Sequence, residues 1–217
     1  SRNEHPRISG ISHFLEHMVF KGTASYSCQR IKESIEGVGG SFNGFTSEEM
    51  TCYLVKIPAG YWKLAMDILA EMAVKPLLKN ADVARERTVI LEEIKMYKDQ
   101  PQSYVHELLD NLLWPGHQLG ASVLGTESSV GSISRADLAA YKRGQYTASN
   151  MVLAAAGKLD FDAFAREARK VFSSVPRGRH NTSAAAGKKD GGETLCLMQK
   201  DTEQAHLAMG FHALRRD

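Results

Sequence analysis

The run His13-Phe14-Leu15-Glu16-His17 limits this chain more than any other part of its 217 residues. At about 100° per residue, a helix carries His13 and His17 one turn apart on the same face. That spacing lets two imidazoles reach one metal ion. Glu16 falls at roughly −60° from His13 and His17 at roughly +40°, which brings the carboxylate close enough to take a proton from a water held there. Ile11, Phe14, Leu15, Met18 and Val19 spread over the opposite face. A helix from Ser9 to about Phe20, with Ser9 as N-cap, would bury the apolar face and gather two histidines and a glutamate on the other.

Two histidines do not complete a metal site. A structural zinc takes four protein ligands, often cysteines, whereas a catalytic zinc takes three and keeps a position for water. Cys28, Cys52 and Cys196 are odd in number, far apart and without a C-x-x-C spacing, so they read as reduced thiols. A carboxylate is the expected third ligand. The helix expected from about Asn80 to Lys98 has a buried stripe of Val83, Ile90, Ile94 and Tyr97. Glu86 and Glu93 lie two turns apart at the border of that stripe, and Glu92 points away from it. Either Glu86 or Glu93 can meet an interior metal.

The rest of the chain alternates helical and strand-like segments. A helix at about Ser27–Val38 stops at Gly39-Gly40. Ser41–Ser47 and Met50–Ile57 are strand-like, and an amphipathic helix covers about Ala59–Val74 before Pro76. Pro101 opens a helix to Leu113, and Trp114–Ser132 reads as a long surface connection. A helix at Ser134–Gln145, a strand at Met151–Ala156 and a helix at Phe161–Phe172 follow. Two strand-like runs, Glu193–Gln199 and Gln204–Phe211, close the chain. This order predicts an α+β fold in two layers, a mixed and largely antiparallel sheet with helices packed on one face. Residues 1–176 would form the metal-binding domain. Residues 177–192, with Arg-Gly-Arg-His, Lys-Lys and Gly-Gly, read as a linker. Residues 193–217 would begin a second, truncated unit.

Three stretches give the chain a family resemblance: Gly10 to Thr23, Arg85 to Ile94, and the Asp-Thr-Glu-Gln-Ala-His run at Asp201–His206. H-x-x-E-H is the inverzincin signature. From Ser1 to Phe211 the chain resembles the pitrilysin family, which includes insulin-degrading enzyme and the mitochondrial processing peptidase. It is closest to bacterial relatives of the latter. The resemblance implies a zinc metalloendopeptidase, with one Zn2+ held by His13, His17 and Glu93. It implies Glu16 as general base on water and Glu86 as a supporting carboxylate behind a ligand. It further implies an edge strand that receives extended peptide substrate, here Asn43, Gly44 and Phe45; relatives often carry alanine at the position of Gly44. A second homologous domain or subunit would close a chamber around the substrate, and a homodimer is compatible with the pattern. Set against that family, the first strands and most of the second domain are missing from this sequence.

Other classes fare worse. A net charge of +2 without a basic cluster argues against nucleic acid as partner. No apolar run reaches the length of a membrane span. The absence of a signal peptide favours the cytoplasm, while a targeting segment lost from the front would send the protein to a periplasm or organelle. His106, His117, His180, His206 and His212 lack ligand spacing to one another, and Tyr61 and Trp62 read as core or interface. The alternative reading is a non-catalytic scaffold or assembly subunit of the same fold, although such relatives generally lose the motif residues retained here.

Overall fold

The computed structural model describes residues 1–182 and 194–213. Helix α1 (Ile11–Val19) lies at the centre of the molecule, and eight of its nine residues are buried. Its start is set by Gly10 at φ +89, where a Cβ would stand 2.4 Å from the Leu124 carbonyl oxygen. Only glycine meets both demands at once. Ser9 is therefore not the N-cap expected from the sequence. The cap comes from outside the helix: the buried Glu4 carboxylate accepts from the Gly10 and Ser12 backbone N–H groups at 2.7 and 2.9 Å, satisfying donors a helix start leaves free.

After α1 come α2 (Cys28–Glu36), begun by Ser27 accepting from the Arg30 N–H, and a hairpin of β1 (Ser41–Thr46) and β2 (Thr51–Lys56). The hairpin is antiparallel, with Ser41 opposite Lys56 and Thr46 opposite Thr51. Phe42, Gly44 and Thr46 turn toward α1, and Ser41, Asn43 and Phe45 face outward, as the strand period of two requires. A 3-10 turn leads into α3 (Trp62–Val74), and α4 (Asn80–Lys98) and α5 (Pro101–Leu113) follow. Then come α6 (Glu127–Ser132), α7 (Arg135–Gln145) and α8 (Phe161–Val171).

The core is built around α1. Phe14, Leu15, Met18 and Val19 pack with Ile31 and Ile35 of α2, Ile68 and Met72 of α3, and Ile90 and Ile94 of α4. Val130, Ile133 and Leu138 belong to the same core. The polar face of α1 is enclosed too, against β1 and α4, so both faces of this helix are interior.

The α+β class holds: a helix-rich chain carries one small antiparallel sheet. Its extent differs from expectation. Among the described residues β1 and β2 are the only paired strands, and Met151–Ala156, 194–199 and Gln204–Phe211 join no ladder. Their β-rich composition favours extended backbone, but a strand is held by hydrogen bonds to a neighbour, and propensity supplies no neighbour. Glu193 and residues 183–192 of the expected linker lie outside the described residues, as does Asp217. The expected surface connection at Trp114–Ser132 is also different. It contains α6, whose Ser129 and Val130 are buried. Serines and threonines that read as loop form a capping box there, Thr126 with Ser129. All three cysteines are free thiols.

Candidate metal centre

Three donor groups converge where α1 faces α4. One ligand atom each from His13, His17 and Glu93 lie within 4.8 Å of one another. The Glu93 Oε2 stands 3.7 Å from His13 Nε2 and 3.6 Å from His17 Nε2. Ligand atoms at zinc bond lengths in a tetrahedron lie about 3.3 Å apart, so the two separations to Glu93 need only a few tenths of an ångström of closure. Both helices supply their residues by period: His13 and His17 are one turn apart on α1, and Glu86 and Glu93 two turns apart on α4.

Burial, with the neighbouring His17, pulls the His13 pKa down to about 4. This imidazole is therefore neutral at physiological pH and keeps a nitrogen lone pair. Its Nδ1 is buried without a hydrogen-bond partner. With Nε2 toward Glu93, a buried and neutral imidazole beside a second one and a carboxylate is a donor set suited to a borderline-soft divalent cation. The residues present thus fit zinc.

Behind His17 lies Glu86, 3% exposed, whose Oε2 is 3.2 Å from His17 Nδ1. A proton on Nδ1 donated to Glu86 leaves the Nε2 lone pair facing Glu93 and His13. Glu93 stands with the two Nε2 atoms and Glu86 stands behind one ring. Glu92 projects into solvent and pairs with Lys95 at 2.7 Å.

Glu16 is buried beside the trio. Burial raises its pKa, and a hydrogen bond from Thr46 opposes that shift. Gly44 of β1 lies directly over it: a Cβ there would stand 3.1 Å from Glu16 Oε1 and 2.9 Å from the Phe20 ring. A cleft of about 260 Å³ opens between Glu16, His17, Lys21, Asn43, Gly44 and Glu86. Of the three residues assigned to the substrate strand, Gly44 borders Glu16, whereas the side chains of Asn43 and Phe45 point outward. The second edge of β1 has no partner strand among the described residues.

Two residues at this centre were not singled out from the sequence. Thr46 donates to Glu16 Oε2 at 2.6 Å, and Lys21 Nζ is 2.8 Å from Glu86 Oε1. Lys21 could have been found by continuing the four-residue step from His13 through His17. Thr46 shares a strand face with Phe42 and Gly44, but only the fold brings that face to Glu16.

Comparison with known proteins agrees with this arrangement. Residues 1–127 match the family described as Insulinase (Peptidase family M16), and residues 132–217 match the description Peptidase M16 inactive domain. The core runs across the junction of the two matches, since Ile133 and Leu138 pack with α1. The chain is 40% identical over 220 residues to the uncharacterized zinc protease YmxG of Bacillus subtilis, covering 99% of this chain and 52% of that protein. An uncharacterized zinc protease of Streptomyces coelicolor is 35% identical, with 100% and 48% covered. The chain spans about half the length of the curated relatives it matches. Among solved structures, a Helicobacter pylori protease superposes with a TM-score of 0.79 at 23% identity, covering 86% of this chain and 46% of that one, a likeness of fold. With more than half of its residues matched by the first description, the chain belongs to the insulinase family of peptidases, family M16.

Proposed function

We propose that this chain carries the zinc-binding half of a metalloendopeptidase that hydrolyses peptide bonds in short or unfolded peptides. The observation that carries the reading is the convergence of His13, His17 and Glu93 beside Glu16 and the open edge of β1. His13, His17 and Glu93 hold the metal. When bound, zinc lowers the pKa of its water toward neutrality and polarises the scissile carbonyl.

The protein's own groups do the rest. Glu16 accepts the proton of the attacking water and delivers it to the leaving amine. Its burial suits a base, since a raised pKa makes the carboxylate more basic. Thr46 grips Oε2 and leaves Oε1 facing Gly44 and the cleft. Glu86 accepts from His17 Nδ1 and fixes the ring. An extended peptide adds to the free edge of β1 near Asn43, Gly44 and Phe45, held by main-chain hydrogen bonds. Residues 1–176 act as the metal domain, 177–192 as linker, and 193–217 as the start of a second homologous unit. That unit, or a partner subunit, closes a chamber over the peptide.

Metal content by mass spectrometry, beside His17→Ala and Glu16→Gln, tests this. About one zinc per chain, lost in His17→Ala and kept in Glu16→Gln, with peptide cleavage absent from both variants, is expected. Cleavage surviving in Glu16→Gln would remove Glu16 as the base. Stoichiometric zinc without peptide cleavage by the full-length protein would favour the scaffold reading.

A further inference from the structure

We propose that Lys21 is a positioning residue for the metal centre: it holds the Glu86 carboxylate turned toward His17, and so governs how tightly His13, His17 and Glu93 retain zinc. This rests on the zinc reading above and adds a residue that the motif does not contain.

The argument begins with the two oxygens of Glu86, which are used separately. Oε2 faces His17 Nδ1 at 3.2 Å and Oε1 faces Lys21 Nζ at 2.8 Å. The terminal torsion of a glutamate is broad and roughly two-fold. A carboxylate held at one oxygen can therefore swing, and a second charged contact at the other oxygen stops it. The result is a chain of contacts from Lys21 through Glu86 and His17 to the donor trio.

Lys21 has no substitute. Glu86 keeps His17 at its other oxygen and lines the cleft, so water entering there can solvate the charge when the ammonium is gone but does not fix the orientation of the carboxylate. Arg87, next in sequence, is committed elsewhere: its guanidinium donates to the Val130 and Ile133 carbonyls. Among the described residues Lys21 is the only lysine or arginine paired with Glu86. Its position follows from α1. Lys21 lies four residues past His17, where the helix has just ended, so it leaves the helix on the side that faces α4. A cation is also favoured at that helix end. The Lys21 side chain is one-third exposed and borders the cleft, with room for exchange.

Zinc dissociation constants, measured on the full-length protein by competition with a chromogenic chelator, test the proposal together with metal-free melting temperatures. Lys21→Met should weaken zinc binding by roughly ten-fold or more, the usual cost of removing a group that supports a ligand. The metal-free melting temperature should stay close to the parent. Lys21→Arg, which keeps the cation, should bind zinc nearly as the parent does. In a Glu86→Gln background, Lys21→Met should add little, because the route from Lys21 to the metal is already cut. Parent-like affinity in Lys21→Met overturns the proposal, as does equal weakening in the Glu86→Gln background. So does a fall in metal-free stability large enough to account for the lost affinity. If the parent binds zinc through His17 while Lys21→Met is unchanged, only this proposal fails. If the parent binds no zinc, the zinc reading fails with it.

Discussion

The Thr46 hydroxyl on β1 donates a 2.6 Å hydrogen bond to Glu16 Oε2 on α1, tying the strand beside the cleft to the carboxylate assigned as base. A hydrogen bond to a carboxylate favours its charged form and so lowers its pKa, opposing the upward shift from burial.

Removing that hydroxyl should therefore push Glu16 further up. Because a base must be ionised to act, the acid limb of the kcat/KM pH profile for peptide cleavage by the full-length protein should move to higher pH in Thr46→Val. The rate at its plateau should fall as well, because the carboxylate loses the contact that fixes its orientation. Thr46→Ser should restore both. An unmoved acid limb in Thr46→Val would mean that the hydroxyl does not act on Glu16.

Gly44 predicts a separable effect. Its Cβ position lies 2.9 and 3.0 Å from the Phe20 ring and 3.1 Å from Glu16 Oε1. In Gly44→Ala the ring edge must shift against Phe42 and Tyr53, whose centroids are 5.6 and 6.0 Å away. Alanine also lowers the entropy of the unfolded chain. These terms oppose, and the net change in stability should stay within about 1 kcal/mol. Glu16 Oε1 is the far end of a flexible side chain and needs to give way by only a few tenths of an ångström, so kcat/KM should stay close to the parent value while the melting temperature barely moves. A large loss of kcat/KM at an unchanged melting temperature would mean that Glu16 cannot yield.

Helix periodicity made most of the centre legible. His13 and His17 follow from a four-residue step, and Glu86 and Glu93 from a seven-residue step beside a buried stripe. Those are local regularities, readable without knowing what lies opposite. The assignment between Glu86 and Glu93 was not local, because it depends on where α1 crosses α4. Thr46 was hidden for the same reason. The expected strands at Met151–Ala156 and Gln204–Phe211 failed differently: alternation describes a strand's faces, and a ladder needs a neighbour that alternation does not provide. Ser9 misled because a good capping residue preceded the helix, while the fold used Gly10 with the distant Glu4 carboxylate.

Arg87 carries a stability prediction. Its guanidinium donates to the Val130 carbonyl at 3.3 Å and to that of Ile133, and sits over the Phe14 ring at 6.0 Å. It thus ties α4 to the last turn of α6 and the residue that caps it. Arg87→Met keeps much of the packing but leaves two part-buried carbonyls without their donor. The loss should be about 2–3 kcal/mol by chemical denaturation. Arg87→Lys should recover only part of it, since an ammonium lacks the fork that reaches two acceptors. Parent-like stability in Arg87→Met would show that water satisfies those carbonyls.

Tyr26 gives a pH dependence with a definite sign. Its hydroxyl donates to Asp67 Oδ2 at 2.6 Å, joining the turn after α1 to α3. That hydrogen bond, aided by burial, raises the phenol to about 12 from its ordinary 10. The folded state then holds the proton more tightly than the unfolded state. Between those two values folding retains a proton that the unfolded chain releases, so stability falls as pH rises. The contribution is complete below about pH 10 and disappears as pH climbs through the folded value of about 12. Tyr26→Phe removes it at every pH. Denaturation of parent and variant across alkaline pH should show a constant gap below about pH 10 that narrows above it. A gap that stays constant throughout would mean that Tyr26 titrates alike in the folded and unfolded chains, and that its bond to Asp67 confers no preference for the protonated phenol.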